Sequence, residues 1–127
     1  MQPVHLFDLA ARQAQWASVR QSLIAGNIAN ANTPGYVARD IEPFSKILDS
    51  THLEMTQTAS GHIDTSGTSL GTGKIKPEES WDVSFSGNSV SVDQELVKAG
   101  ATDRTFQLNA SLVKAFHRMF LMSVRSS

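Results

Sequence analysis

Residues 106–124 read FQLNASLVKAFHRMFLMSV, and this stretch decides the fold class. At 100° per residue its large apolar side chains surround the helix axis almost completely. A helix that is apolar nearly all round must be buried on several sides, and a single partner helix covers about half of it. Burial of ten such side chains represents roughly 15–30 kcal/mol. The apolar residues are Phe106, Leu108, Leu112, Val113, Phe116, Met119, Phe120, Leu121, Met122 and Val124, beside a polar stripe of Gln107, Ser111, Lys114, Arg118 and Arg125.

The start of this helix is predicted near Ser91. Ser91 as N-cap, followed three residues later by Gln94, is a capping-box pattern, and Asp93 and Glu95 favour the positive end of the helix dipole. The periodic pattern then continues to about Val124. We therefore expect a C-terminal helix capped by Ser91 and Gln94.

Residues 3–31 predict a second long helix. Pro3 suits a first helical turn, and the apolar residues spread over a broad arc, wider than a coiled-coil seam. The remaining face is small or uncharged, so a second backbone can approach it closely. The residues expected to pack between helices and between subunits are Leu9, Trp16, Leu23, Ile24, Ile28, Phe106, Leu112, Val113, Phe116, Met119 and Phe120.

These patterns predict a mainly α fold in which the two terminal helices pair as a coiled-coil-like hairpin. The whole chain, 1–127, is expected to form one discontinuous domain: 1–44 with the first helix and its turn, 45–90 as an extended Ser/Thr/Gly-rich segment, and 91–127 with the last helix. A small β element is predicted from the alternation in 81–85 and 89–92, with Gly87-Asn88 as its hairpin turn.

The stretch NIANANTPGY, residues 27–36, predicts the end of the first helix and a chain reversal. Pro34 disfavours helical geometry at Thr33, and Pro and Gly occupy the positions that a type II turn prefers. Two interpretations stay open: a rigid helix stop, or an asparagine ladder that bonds to neighbouring subunits. The residues involved are Asn27, Asn30, Asn32, Thr33, Pro34, Gly35 and Tyr36.

Composition argues against several functions. With 11 basic and 12 acidic residues the net charge is −1, which does not favour nucleic acid as a partner. No apolar run reaches the length of a membrane span, and the N-terminal segment lacks the pattern of a cleavable signal peptide. GTSLG at 67–71 resembles a hydrolase elbow but lacks the strand and helix around it. We expect no enzyme activity and no cofactor.

Metal binding also has little support in the sequence. The chain contains no cysteine, and its four histidines never stand at helical ligand spacing. We therefore expect no metal site at His5, His52, His62 or His117.

Three stretches resemble one family. NIANANTPGYVARD (27–40) is similar to the N-terminal motif of bacterial flagellar rod and hook proteins, and the proximal rod subunits resemble it most. THLEMTQT (51–58) and GNSVSVDQE (87–95) are similar to further stretches of those subunits. The resemblance covers both ends and the entry to the last helix; the Ser/Thr/Gly-rich middle is unmatched.

The resemblance implies a structural subunit of the flagellar rod, which transmits torque and encloses the export channel. It implies assembly with copies of itself and with other axial proteins (FliE and FlgC among them), contact with the MS-ring protein FliF, and passage through the type III export apparatus without cleavage. The implied location is the periplasmic rod of the basal body. The alternative is a non-flagellar α-helical adaptor that binds partner helices.

Overall fold

The computed structural model describes residues 3–51 and 73–125. The described part is mainly helical with one small sheet, which confirms the predicted fold class. The predicted GTSLG motif, His52, His62 and most of THLEMTQT lie outside the described residues. The elements in chain order are helix α1 (Pro3–Ala29), strand β1 (Arg39–Ile41), helix α2 (Phe44–Thr51), strand β2 (Ile75–Pro77) and helix α3 (Val92–Arg125).

Helices α1 and α3 form an antiparallel hairpin. Asn109 on α3 donates from Nδ2 to the carbonyl of Ala10 on α1 at 2.8 Å, and Asn27 on α1 donates to Glu95 on α3 at 3.1 Å. Counting seven residues along each helix from the Ala10–Asn109 pair places Pro3 level with Phe116. The residues of α3 after Phe116 therefore extend beyond the start of α1 by about 13 Å, at 1.5 Å per residue.

The side of α3 that is buried within the chain is polar. Its four buried residues are Gln94, Glu95, Thr102 and Asn109. On α1, buried Ala17 lines one groove with Thr102 and buried Asn27 bonds to Glu95, whereas buried Trp16 packs against Ile41 and Ile47. Small and hydrogen-bonding side chains allow the two backbones to come close, but they leave the large apolar side chains of α3 on its other faces.

The two strands pair antiparallel, with Arg39 opposite Pro77 and Ile41 opposite Ile75. This corrects the predicted β element, because neither 81–85 nor 89–92 forms a strand. The amide of Ser89 donates to the carbonyl of Tyr36 instead, at 3.0 Å. The segment before α3 therefore makes a local turn at residues 84–88 and then lies along the segment that follows α1, without forming a pair of strands.

A short helix in the predicted extended segment is a second correction. Helix α2 begins at Phe44, the last residue before the segment 45–90 that the composition predicts to be extended. Phe44, Ile47 and Leu48 stand at helical spacing on one face, but eight residues are too few for that period to be recognised in the sequence. Ile47 joins a core cluster with Trp16, Ala17 and Ile41, and the rings of Trp16 and Phe44 lie 6.0 Å apart.

The predicted turn after α1 has the expected geometry. The amide of Tyr36 donates to the carbonyl of Thr33 at 3.2 Å, and Gly35 at the third position has a φ of 70°. Gly87 has a φ of 80°, and the amide of Gly35 donates to the carbonyl of Ser86 at 3.0 Å. Two left-handed glycines thus meet where the two segments touch.

Replacement of Gly35 by alanine is expected to lower the free energy of unfolding by about 1 kcal/mol or more, because an L-residue is strained at this φ. Gly26→Ala is the matched control. Gly26 lies inside α1, and no atom lies within 4 Å of the position that an alanine methyl group would take, so alanine should raise stability by up to about 1 kcal/mol. Urea denaturation followed by far-UV circular dichroism measures both. Equal effects of the two substitutions would contradict the turn geometry.

Candidate assembly interface

Asn27 joins three elements at the end of the hairpin. Its Nδ2 donates to the carbonyl of Arg39 at 2.8 Å and to Oε2 of Glu95 at 3.1 Å, and its Oδ1 accepts from the amide of Arg39 at 3.0 Å. Both Asn27 and Glu95 are 1% exposed. One side chain therefore fixes the end of α1, strand β1 and the first turn of α3 relative to each other.

Asn88 fixes the reversal that follows α1. Its Nδ2 donates to the carbonyls of Asn30 and Thr33, at 2.9 and 2.7 Å, and its Oδ1 accepts from the amide of Val90. Asn30 in turn donates to the carbonyl of Gly26 at 2.8 Å. Each of these carbonyls also accepts from a backbone amide, so the side chains supply a second donor at the helix end and in the turn after it. The turn is thereby bonded to the entry of α3.

An ion-pair network surrounds Asn27. Arg20 binds both carboxylate oxygens of Asp40, at 3.1 and 2.9 Å, and its guanidinium lies 5.3 Å from the ring centre of Trp16. Lys98 contacts the carboxylates of Glu95 and Glu78 and lies 3.9 Å from that of Asp40. Two cations and three carboxylates from four parts of the chain thus form one partly buried cluster.

Burial raises the pKa of Glu78, and the nearby Glu95 adds to the rise while Lys98 opposes it. Glu42 shows the reverse, since a hydrogen bond from Lys76 on β2 lowers the pKa of this carboxyl. The two glutamates lie close to the same small sheet. Because their pKa values are shifted in opposite directions, they make opposite contributions to the pH dependence of stability.

The predicted turn residues are mostly at this junction. Asn27 is buried and Asn30 is half-buried, while Asn32, Thr33, Pro34 and Gly35 are exposed. Tyr36 is half-buried and bonds through its backbone to Thr33 and Ser89. Asn27 and Asn30 bond within the chain, and both interpretations of the motif stay predictions.

The predicted packing residues fall into three groups. Trp16 and Ile24 are buried, and Leu9, Leu23 and Val113 are half-buried. Ile28 is exposed, because its neighbour Asn27 takes the inward position. The remaining predicted residues, all on α3, are between 38% and 52% exposed: Phe106, Leu112, Phe116, Met119 and Phe120.

The predicted capping box is wrong in the role that it gave to Gln94. Ser91 does precede the first residue of α3, and its carbonyl accepts from the amide of Glu95 at 3.0 Å. The Gln94 side chain, however, donates to Oε1 of Glu78 and to the carbonyl of Glu79, and it accepts from the amide of Trp81. Gln94 therefore fastens the 78–81 segment to α3 and is not available to return to Ser91.

The distal part of α3 presents a large apolar surface. Besides the predicted residues, Leu108, Leu121, Met122 and Val124 are between 47% and 64% exposed. Monomeric soluble proteins rarely carry a continuous patch of this kind, and such patches mark sites of protein association. A shallow groove of about 440 Å³ adjoins it between α1 and α3, lined by Ala17, Ser18, Gln21, Ser22, Ala25, Thr102, Asp103 and Phe106.

Two kinds of site are absent from the described residues. Within residues 3–51 and 73–125 no cluster of His, Asp or Glu is arranged to hold a metal ion. Across the same ranges, no helix has both the length and the apolar character to cross a membrane. The groups brought together here are structural hydrogen bonds, ion pairs and an exposed apolar helix.

The bonds of the junction were not predicted from the sequence. The polar residues that make them share one property: each bonds to a residue far away in the chain or lies between the two long helices. The stretches 27–40 and 87–95, similar to the rod subunits, contain three of them, Asp40, Asn88 and Glu95. The whole set is Arg20, Asp40, Glu78, Asn88, Glu95, Lys98, Thr102 and Asn109.

Comparison with known proteins agrees with this geometry. Residues 9–36, which form most of α1 and its turn, match the family described as flagella basal body rod protein. The flagellar basal body rod protein FlgB of Agrobacterium fabrum is 44% identical over 129 aligned residues, covering 98% of this chain and 96% of that protein. FlgB of Escherichia coli is 32% identical, covering 72% of each chain, and FlgB of Bacillus subtilis is 34% identical, covering 72% of this chain and 70% of that one.

We expect Asn27→Asp to lower the free energy of unfolding by about 3 kcal/mol or more at neutral pH, because it places a carboxylate against Glu95 and the Arg39 carbonyl. Asn32→Asp, at an exposed position in the same motif, should change stability by less than about 0.5 kcal/mol. Urea denaturation of both variants tests this. A mild effect of Asn27→Asp would mean that the junction does not depend on this amide.

The two glutamates predict opposite pH effects. Because the pKa of Glu78 is raised, the folded chain binds more protons than the unfolded chain. The stability of wild type relative to Glu78→Gln should therefore fall as pH rises from the ordinary glutamate pKa through the raised one. The pKa of Glu42 is lowered in the folded chain, so the folded chain binds fewer protons than the unfolded chain. The stability of wild type relative to Glu42→Gln should therefore fall as pH falls from the ordinary glutamate pKa through the lowered one. Urea unfolding between about pH 3 and 8 measures both differences. Slopes of the same sign would contradict the assignment.

Proposed function

The chain belongs to the FlgB family of flagellar basal body rod proteins and is a structural subunit of that rod, and we propose that it builds the rod by burying the apolar surface of α3 between subunits. The observation that carries this proposal is the exposure of the large apolar side chains on distal α3, described above. Roughly half of each of these side chains remains to be buried when the chain is alone.

The polar seam between α1 and α3 supports the same proposal. Thr102 and Asn109 fill the inward positions, so rotating α3 to bury its apolar face within the chain would break the Asn109–Ala10 and Asn27–Glu95 bonds. The apolar face is therefore held outward by the hydrogen bonds of the hairpin itself. In this proposal the whole chain acts as one discontinuous domain, with its two terminal helices forming the part that packs in the shaft.

Assembly with other axial proteins of the basal body follows from the family, and the individual neighbours are part of the proposal. We take them to be further copies of this chain, the rod proteins FliE and FlgC, and the MS-ring protein FliF. Interlocked helices of several subunits resist shear, which suits a shaft that transmits torque and encloses a channel. The residues proposed for this packing are Leu9, Ile28, Phe106, Leu112, Val113, Phe116, Met119 and Phe120, with the turn of residues 27–36 as a fixed end.

Delivery to the periplasmic rod is proposed to occur through the type III export apparatus, without cleavage of a signal peptide. The support for this location is the family, whose members are flagellar basal body rod proteins.

A helical adaptor outside the flagellum is the alternative. It also requires apolar helix faces, but it does not require similarity to rod proteins along the whole chain. The alignment that covers 98% of this chain therefore favours the rod subunit.

Phe120→Asp is expected to abolish rod formation and motility while export continues, because a charge would be buried between subunits. The side chain is 52% exposed in the single chain, so the substitution should not unfold it. Phe116→Asp is expected to act in the same way. Motility in soft agar, the subunit content of isolated basal bodies and the amount of subunit in the medium measure the three effects.

Ser111→Asp is the matched control, since it adds the same charge on the polar stripe of the same helix. It should leave motility close to that of wild type. Motile cells with complete rods in the Phe120→Asp strain would refute the proposed role of this surface.

A further inference from the structure

A second apolar surface lies at the opposite end of the hairpin. The segment 78–88, called here the acidic loop, exposes Trp81, Val83 and Phe85 by 69%, 60% and 111%. Exposed Glu79 and Asp82 stand beside them, and the sequence from 78 to 97 contains no lysine or arginine. The loop therefore combines aromatic side chains with negative charge.

Hydrogen bonds hold this loop in place. The amide of Trp81 donates to Oε1 of Gln94 at 3.1 Å, and a turn closes with the amide of Gly87 donating to the carbonyl of Ser84 at 2.9 Å. The carbonyl of Ser86 accepts from the amide of Gly35. A loop that is fixed at both ends presents its side chains with little entropy left to lose on binding.

The far end of α3 has the complementary character. Residues 114–125, called here the helix end, expose Phe116, Met119 and Phe120. From Arg104 to the last residue the sequence contains no aspartate or glutamate, and its cations are Arg104, Lys114, Arg118 and Arg125. The helix end is therefore apolar and positively charged, where the acidic loop is apolar and negatively charged.

The two surfaces cannot meet within one chain. The loop is bonded to Gln94, and Met119 lies 25 residues further along the same unbroken helix, which is about 38 Å at 1.5 Å per residue. A contact between them requires a second molecule.

We propose that the acidic loop of one copy of this chain docks on the helix end of a second copy, with Trp81 and Phe85 packing on the apolar side chains of α3 and Asp82 paired with Arg118. This inference rests on the proposed function, whose apolar surface it gives a specific occupant. Charge selects the helix end over the groove between α1 and α3, because that groove carries Asp103 and would repel Asp82.

A contact of this kind is heterologous, since different surfaces of the two copies meet. Heterologous contacts repeat from copy to copy and generate open helical assemblies unless the rotation closes a ring. The loop and the helix end lie at opposite ends of an elongated hairpin, so each added copy presents a free surface for the next one.

Crosslinking tests the contact. The sequence contains no cysteine, so only the introduced cysteines can react. Ser84→Cys in the loop and His117→Cys on the helix end are both at exposed positions that keep the proposed charges. Both are placed in one chain, expressed in cells lacking the wild-type copy, and treated in isolated basal bodies with a short bifunctional maleimide. The expected result is a ladder of dimers and larger species, because about 35 Å separates the two positions within one copy.

Ser84→Cys combined with Ser18→Cys is the control, since Ser18 lines the groove. Immunoblotting measures how much subunit the basal bodies contain. Subunit present without a ladder, or a stronger ladder with Ser18→Cys, overturns the inference and leaves the proposed function intact. If the wild-type chain is also absent from basal bodies, the inference and the proposed function are both overturned.

A charge exchange gives a second, independent readout on the purified full chain. Asp82→Arg alone and Arg118→Asp alone should each weaken self-association about fivefold at low salt, and the double variant should recover most of it. Sedimentation velocity over a range of concentrations measures the association. If self-association of the double variant is as weak as the two single losses combined would make it, the pairing of Asp82 with Arg118 is overturned.

Discussion

The amide of Asn27 is the interaction on which the rest of the structure depends. It has two hydrogens and one acceptor oxygen, and Arg39 and Glu95 occupy all of them in a site closed to water. The strand after α1 and the first turn of α3 are thereby placed by one planar group. Once they are placed, Arg20 reaches Asp40 and Lys98 reaches Glu78 and Glu95. Replacement by an apolar residue of the same size would remove these partners from the backbone groups of Arg39 and would leave Lys98 alone to pair with the buried Glu95 carboxylate.

The distribution of polar and apolar residues on α3 is reversed relative to an ordinary globular helix. Its inward face carries Gln94, Thr102 and Asn109, and its outward faces carry Phe and Met. Inward hydrogen bonds add little net stability, but they fix the register of the two helices, as a buried asparagine does in coiled coils. The large apolar side chains are thus left for contacts with other molecules. Polar bonds define the pairing of α1 and α3 within the chain, and in the proposed assembly burial of the apolar side chains would supply the stability.

The elements that the sequence could predict are those with strong local signals. The helical period identified α1 and α3, and Pro34-Gly35 identified the turn, because each signal is contained in a few consecutive residues. The strands could not be found in this way. Alternating residues near Trp81 suggested a two-stranded hairpin. The segment instead makes a local turn at residues 84–88, and Ser86 and Ser89 bond to Gly35, Tyr36 and Ala38 on a distant segment. A two-residue period indicates an extended chain and says nothing about its partner.

The ion-pair network was invisible for a related reason. Arg20, Asp40, Glu78 and Lys98 have no regular spacing and resemble ordinary surface charges until the fold brings them together. The apolar circumference of distal α3, in contrast, was readable in one segment, and its exposure in the single chain agrees with the expectation that neighbours cover it.

The sequence separation of the hairpin contacts has a consequence for how the molecule reaches its final form. Asn109 and Ala10 are 99 residues apart, Asn27 and Glu95 are 68 apart, and Asn88 and Asn30 are 58 apart. Closing the largest of these loops costs about 4 kcal/mol of chain entropy before any contact forms. Whichever end of the polypeptide is free to fold first, its helix finds its partner only when almost all of the other end is present. Such high contact order means that the hairpin closes late, after both ends of the chain are available.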